Sequence, residues 1–347
     1  MIRAAIVGIG WWGRTLVEAV QDADEHITFV AGASGHRSPE VQEFCARQNL
    51  RVHESFDEVL EDPEVDAVVL ATPHSQHVRQ CLSAAGAGKH VYCEKPLAFT
   101  LAEAEEVADA VERAGVTFMV GYNRRFHPEM ARLRSQISQG DLGTLLHVES
   151  TMTFANALLL RPEQWRAHAD EVPCGGLAPM GVHAIDAMID LFGDIDSVYC
   201  RSVKRAVAID SDDTTSILLS MRSGMTGYLG LITATAPSFS FQVYGSEKSI
   251  RLEGMTHTSV ATSEERRSRL FGRCIARSAK GEERIWDAEA YDIARAALDA
   301  FGNAAAGTAD SPIPLDQILH TVAVTEAIIT SAGSQLPERV RHSTGQG

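Results

Sequence analysis

Ile6-Val7-Gly8-Ile9-Gly10-Trp11-Trp12-Gly13-Arg14-Thr15-Leu16-Val17 is the stretch that decides how this chain is read. A β-branched run, Ala4–Val7, leads into a G-x-G-x-x-G turn, and a helical apolar pattern follows it. Strand, glycine turn and helix in that order form the opening of a β-α-β unit that binds a dinucleotide. Gly8 permits the tight turn, Gly10 lets the backbone approach a pyrophosphate, and Gly13 lets helix and strand pack closely. Amides at the positive end of the helix then donate to the phosphates.

The same grammar continues outward. Apolar runs recur at Ile27–Ala33, Val65–Ala71, His90–Tyr92 and Val116–Val120, with helical stretches between them. One of these, Thr100 to Ala114, opens on the capping box Thr100/Glu103 and stops at Gly115. Strand–helix alternation predicts a parallel sheet covered on both faces, ending at about residue 122. From about 143 the runs follow one another directly: Leu145–Phe154, Val198–Val207, Thr214–Met221, Met225–Thr233, Phe239–Tyr244 and Ser249–Leu252. Short turns between strands predict an antiparallel or mixed sheet. Helical patterns return at Gly181–Phe192, Ala288–Ala306 and Leu315–Ala332. The reading is an α/β domain over 1–122 and an α+β domain with one large open sheet over 123–347. An open sheet leaves a face to bury, and a second subunit is a common cover.

Composition sets outer limits. A chain of 347 residues suggests two domains, and 45% apolar residues suffice for large cores. The net charge of −15 argues against nucleic acid and anionic membrane surfaces as partners, and no apolar run is long enough to span a bilayer. Arg3–Val7 runs directly into a strand with no signal peptide before it, so a cytoplasmic enzyme is expected. The six cysteines form no C-x-x-C pair and mostly sit in apolar runs, so they read as small hydrophobes and no metal site is expected. Residues 264–284 carry Arg266, Arg267, Arg269, Arg273, Arg277, Lys280 and Arg284 among four Glu, read as a solvated loop or helix face.

The second strand bears on the cofactor. An NAD site usually places Asp or Glu near its end, to meet the ribose 2′-hydroxyl. Here it runs Ala31-Gly32-Ala33-Ser34-Gly35-His36-Arg37-Ser38, without a carboxylate. Ser34, His36 and Arg37 suit a 2′-phosphate, so NADP(H) is preferred, with NAD(H) as the alternative if Arg37 only begins the next helix. Two further segments lie at strand ends, where ligands of such sheets sit: Thr72-Pro73-His74-Ser75-Gln76-His77 and Cys93-Glu94-Lys95-Pro96.

Together with Gly121-Tyr122-Asn123-Arg124-Arg125-Phe126 and Gly175-Gly176…His183-Ala184-Ile185-Asp186, these motifs make the chain resemble the glucose–fructose oxidoreductase/inositol dehydrogenase family, Gfo/Idh/MocA. The resemblance spans most of the chain. It implies a Rossmann domain, then a domain with an open, mostly antiparallel sheet, and homodimers or homotetramers formed through that sheet. It also implies a nicotinamide cofactor and hydride transfer at a carbon bearing hydroxyl or carbonyl. Lys95 matches the active-site lysine and His183 the active-site histidine. The expected cofactor contacts are Gly8, Gly10, Trp11, Trp12, Gly13, Ser34, His36 and Arg37, with Thr72, Pro73, His77, Glu94 and Lys95 from the later strand ends.

One departure stands out. Dehydrogenases of the inositol type have an Asp four residues before the histidine, and here that position is Pro179. Asp186, three residues after His183, either orients the imidazole or salt-links its helix. A histidine suits proton transfer at neutral pH, and a lysine suits a developing alkoxide. Residues 156–175 form either a substrate rim or a packed loop; Trp165 offers a flat wall, and Arg161, Arg166 or Arg124 could meet a carboxylate or hydroxyls. Asn123 and His183 complete the expected substrate set. The expected function is an NADP-preferring oxidoreductase of a small-molecule cyclic polyol or sugar derivative. The alternatives are a dehydrogenase of aromatic-derived diols or hydroxy-acids, and a silent cofactor-binding regulator.

Overall fold

The computed structural model describes residues 1–21, 26–35, 38–254 and 270–342. The chain forms two compact units, one of Met1–Asn123 with Ile293–Ile318 and one of Arg124–Asp292 with Leu319–Gly347. The first unit therefore takes in the later segment Ile293–Ile318 as well as Met1–Asn123.

The first unit is built on six parallel strands: β1 (Ile2–Val7), β2 (Ile27–Ala33), β3 (Arg51–His53), β4 (Ala67–Leu70), β5 (His90–Cys93) and β6 (Phe118–Val120). Their spatial order is 3-2-1-4-5-6, so the order reverses between β1 and β4. Helices α1 (Trp11–Val20), α2 (Pro39–Arg47), α3 (Phe56–Glu61), α4 (His77–Gly86) and α5 (Leu101–Ala114) connect them. All four residues of β4 are buried, the mark of a strand covered on both faces. The α5 cap is as read: Thr100 Oγ accepts from the Glu103 amide, and Gly115 ends the helix at φ +65°. The three-residue β3 escaped the sequence reading because exposed Arg51 and Val52 show no apolar alternation.

The second unit carries nine strands: β7 (Leu145–Thr153), β8 (Ile195–Val203), β9 (Thr214–Met221), β10 (Thr226–Ile232), β11 (Ser238–Gly245), β12 (Lys248–Gly254), β13 (Arg273–Ser278), β14 (Glu283–Asp287) and β15 (Glu338–Arg339). Their order is 14-13-12-11-7-10-9-8-15, and only the β7–β10 pair is parallel. Val148, Gly227, Leu219 and Val198 lie in one cross-strand row on the buried face. Gly227 fits that row because a Cβ there would stand 3.2 Å from Val148 Cγ1. Helix α6 (Pro128–Ser138) precedes β7, and α7 (Val182–Phe192) precedes β8.

Two helices lie between β14 and β15, α8 (Ile293–Ala305) in the first unit and α9 (Leu315–Ser334), whose residues are divided between the two. On α8, Gly302 lets the helix approach β2, where a Cβ would lie 3.1 Å from Ile27 Cβ. On α9, Ser331 Oγ and His320 Nε2 accept from the Cys200 and Ile195 amides.

The stretch 264–284 corrects the expectation of a solvated loop or helix face, within the residues that are described. Residues 273–278 and 283–287 pair as the antiparallel hairpin β13–β14, and Arg277 Nε donates to Glu283 Oε2 at 2.5 Å across it. Arg273 and Arg277 on β13 and Glu283, Arg284 and Asp287 on β14 are exposed, so the charges stay in solvent although the backbone pairs as strands. Arg266, Arg267 and Arg269 lie outside the described residues. All six cysteines are buried thiols. Among the described residues no helix is long and apolar enough to cross a membrane.

Candidate active site

In the first unit, four loops leave the carboxyl ends of β1, β4, β5 and β6 and prolong the sheet's hydrogen bonding. The Gly8 amide donates to Ala33 O, Ala71 to Val7 O, Glu94 to Leu70 O and Gly121 to Cys93 O, all at 2.8–2.9 Å. Gly8 (φ +95°) and Ala71 thus lie side by side at the reversal point, so close that a Cβ on Gly8 would stand 2.5 Å from Ala71 O. Open α/β sheets bind ligands at this place.

The three glycines divide their work as the sequence requires. A Cβ on Gly13 would stand 2.0 Å from Gly8 O, so helix and turn meet backbone to backbone. Gly10 caps α1, is exposed, and has nothing within 4 Å of where a Cβ would be. That space, with no acidic residue in the first turn of α1, fits a pyrophosphate against the helix end. Trp11 is 46% exposed and stands edge-on to Trp12 at 5.4 Å. Ser34 is half-buried after β2, whereas His36 and Arg37 lie outside the described residues.

The loops after β4 and β5 are tied to each other by one imidazole. His77 is fully buried, with Nδ1 2.7 Å from Pro96 O and Nε2 3.0 Å from Thr72 O. It shapes the backbone on either side of Lys95 and Thr72 instead of turning a nitrogen outward. Thr72 Oγ1 donates to Gln80 Oε1 at 2.6 Å, and Pro73 and Lys95 are half-buried. Glu94 is 5% exposed and accepts from the Lys95 amide at 3.3 Å. Its carboxylate fills the space beside Gly121, where a Cβ would stand 2.9 Å from Oε1 and 3.1 Å from Tyr92 Oη. Tyr92 is fully buried, and burial, reinforced by Glu94, pushes its phenol well above the ordinary range. The role of Gly121 as the partner of Glu94 was not read from sequence, because nothing local to Gly121 announces a carboxylate 27 positions earlier.

In the second unit, Gly175-Gly176 and a π-type turn at Leu177–Gly181 bring the chain to α7. Gly175 (φ +58°) packs where a Cβ would meet Asp212 O at 2.2 Å, and Gly181 packs onto Leu231 of β10. His183 stands in the first turn of α7, 7% exposed. Asp186, one turn on, is wholly buried and accepts two bonds from Arg125, Nε to Oδ2 at 2.7 Å and Nη2 to Oδ1 at 2.5 Å. Asp190, a turn further, accepts from Arg125 Nη1 and from Arg134. Burial pushes the Asp186 carboxyl up to about 6, with Arg125 acting against it. Of the two readings of Asp186, the salt link to its helix is the one observed.

Arg124 lies next to Arg125 but in other company. Its guanidinium carbon is 4.6 Å from the Phe239 ring centre, and Nη1 and Nη2 face the sulfurs of Met152 and Met180. Burial lowers its pKa to about 9. Asn123 is 5% exposed. Arg161 is exposed, and Arg166 stacks on half-buried Trp165 at 4.0 Å. The segment around them packs through Ala157 and Ala167 onto Ile209. Trp165 and Arg166 are thus gathered with each other and not with Arg124. Among the described residues no cluster of His, Cys, Asp and Glu could hold a metal ion.

Residues 2–122 match the model of an oxidoreductase family with an NAD-binding Rossmann fold, and residues 130–251 match the Gfo/Idh/MocA C-terminal domain. The chain belongs to the Gfo/Idh/MocA oxidoreductase family. Among the relatives of this family, the rhizopine catabolism protein MocA of Rhizobium meliloti is 30% identical over 66% of this chain and 70% of its own length. The trans-1,2-dihydrobenzene-1,2-diol dehydrogenase of Mus musculus is 28% identical over 61% of this chain, a match that spans 62% of the mouse protein. The fold of a Gfo/Idh/MocA chain is also that of the aldose-aldose oxidoreductase from Caulobacter crescentus, solved with glycerol. The two superpose with a TM-score of 0.82 at 24% identity, over 97% of this chain and 99% of that one.

Proposed function

We propose that this chain is an oxidoreductase that prefers NADP(H) over NAD(H) and acts on a hydroxyl or carbonyl carbon of a cyclic polyol or sugar derivative. The carrying observation is the Gly8–Gly13 turn at the β1/β4 reversal, closed backbone to backbone at Gly13 and open at Gly10. A bound dinucleotide supplies the hydride acceptor or donor. Gly8, Gly10 and Gly13 hold its pyrophosphate in this reading, while Ser34, His36 and Arg37 meet the 2′-phosphate where no acid stands. Trp11, Trp12, Thr72, Pro73 and the backbone of Glu94-Lys95 complete the cofactor's surroundings, and His77 supports them from behind.

Lys95 donates from its ammonium to the substrate oxygen and stabilises the alkoxide that develops there. His183 serves this reading as the acid–base group for the substrate hydroxyl or carbonyl. Pro179 stands where dehydrogenases of the inositol type have a carboxylate, and both Asp186 oxygens are bonded to Arg125. Asn123 and Arg124 orient the substrate, with Arg161, Trp165 and Arg166 as the outer rim. The mouse relative's name describes a ring with two neighbouring hydroxyls, which supports a ring substrate and keeps an aromatic-derived diol as the second reading. A homodimer or homotetramer through the open sheet belongs to the proposal. It is supported by the outward row Tyr199, Leu218, Tyr228 and Glu149, in which Leu218 is 56% exposed. A cytoplasmic location goes with this reading.

The test is titration of NADPH and NADH, followed by nicotinamide fluorescence, and then a panel of polyols, aldoses and ring diols followed by nicotinamide absorbance. Tighter NADPH binding and turnover of a ring polyol or sugar are expected. Failure of both dinucleotides to bind overturns the proposal; binding without turnover on the whole panel points to a regulator.

A further inference from the structure

Two adjacent arginines of the second unit meet opposite fates. Arg125 has both edges of its guanidinium on Asp186 and Asp190. Arg124 is just as buried, 5% exposed, yet its neighbours are a phenyl ring and two thioethers: Phe239 at 4.6 Å, Met152 Sδ at 3.6 Å and Met180 Sδ at 4.0 Å. Thioether sulfur is a weak acceptor and a ring offers only its π-face, so most of the five N–H donors stay unfilled. Among the described residues no carboxylate pairs with Arg124, and the residue before Met180 is a proline.

A buried charge is ordinarily paired, because leaving water is costly without a counter-charge. With its pKa still near 9, this guanidinium remains a cation at neutral pH. Its planar fork matches a carboxylate bidentately, and a single cation balances a monoanion, whereas a phosphate dianion needs more. The contact with Met180 sets it against the π-type turn Leu177–Gly181, which leads into α7 and its His183.

We propose that Arg124 is a carboxylate-binding residue and that the substrate is a hydroxy-acid, a hydroxylated ring or chain whose carboxylate fills the fork of Arg124. The proposal rests on the proposed function, in which Arg124 orients the substrate, and it narrows that substrate from neutral polyols to their acids.

The experiment compares wild type with Arg124→Met and Arg124→Lys in the presence of saturating dinucleotide. Thermal midpoints and binding are measured with glucuronate, tartrate and lactate, with glucose and glycerol as neutral controls, and with glucose 6-phosphate as the phosphate arm. At least one carboxylate is expected to raise the wild-type midpoint well beyond its neutral control. Arg124→Met should weaken that ligand's binding roughly ten- to a hundredfold, with Arg124→Lys in between. Arg124→Met should itself fold with an unchanged or higher midpoint, since it removes an unpaired charge and keeps an apolar stem. Equal response to acids and neutral controls, a stronger response to glucose 6-phosphate, or carboxylate binding that survives in Arg124→Met overturns the proposal. Turnover of neutral polyols by both wild type and Arg124→Met overturns it while leaving the oxidoreductase reading intact. Absence of dinucleotide binding overturns that reading instead, and the Arg124-dependent carboxylate response is then measured without dinucleotide.

Discussion

Arg125 grips Asp186 with two parallel bonds, Nε to Oδ2 at 2.7 Å and Nη2 to Oδ1 at 2.5 Å, between positions 61 residues apart. The pair is buried at both ends and fastens α7, the helix that carries His183, to the chain entering the second unit. Charge-assisted forks of this kind fix geometry as well as adding energy.

Breaking that fork from one side leaves the buried Arg125 with only the longer contact to Asp190, at 3.4 Å, among the carboxylates of α7. Asp186→Asn should cost about 3–5 kcal/mol of stability, read from urea unfolding followed by circular dichroism. Arg125→Met combined with Asp186→Leu should recover much of the loss, because no lone charge is left behind. A single variant as stable as wild type shows that the pair does not hold α7.

The glycine turn separates folding from binding. Gly10 has φ −75° and open space around it, so Gly10→Ala should fold within about 1 kcal/mol of wild type. It should nevertheless bind dinucleotide at least tenfold more weakly, since its methyl occupies the pyrophosphate's place. Gly13→Ala drives a Cβ into Gly8 O and should destabilise the first unit by about 1–3 kcal/mol besides abolishing binding. Fluorescence titration and melting of both variants check the contrast.

Lys95→Met keeps the stem and deletes the ammonium. It should retain dinucleotide binding and lower kcat about a hundredfold or more, the usual scale for losing a preorganised charge at a developing alkoxide. His183→Asn should cost less and should flatten the dependence of kcat on pH near neutrality. Normal turnover by Lys95→Met shows that the lysine does not serve the reacting oxygen.

Cofactor choice is tested at Arg37. Arg37→Ala should weaken NADPH binding roughly ten- to a hundredfold and leave NADH nearly unchanged, as expected for one charge-assisted bond to the 2′-phosphate. Equal losses for both dinucleotides reject the preference.

A pH dependence of stability follows from His127. Its ring is 1% exposed, stands edge-on to Phe271 at 4.8 Å, and accepts the Glu129 amide at Nδ1. Burial lowers its pKa to about 4, against 6.5 for a free imidazole. The unfolded chain therefore binds the extra proton first. The contribution, up to about 3 kcal/mol, is complete above pH 6.5 and is lost as pH falls from there towards 4. His127→Asn, which keeps an acceptor at the helix cap, should show a shallower loss of stability across that interval in denaturant titrations.

What the chain revealed by itself was local. The Gly8–Gly13 turn, the Thr100 cap with Gly115, the alternation of strands and helices and the change of grammar near 143 each depend on residues a few positions apart, where backbone conformation and periodicity act directly. Motif recognition added Lys95 and His183 as candidates but not their surroundings. The tertiary structure decided what depends on distance along the chain: that Ile293–Ile318 returns to the first unit, that Glu94 needs a glycine at 121, that His77 joins the loops after β4 and β5, and that charged residues 273–287 form a sheet-edge hairpin. It also separated Arg124 from Arg125. In the short 3₁₀ turn Asn123–Phe126, successive side chains point about a third of a turn apart, so one arginine reaches the acids of α7 while its neighbour lies against Phe239. Sequence shows two identical side chains in a row, and only packing assigns one to structure and leaves the other with its charge unanswered.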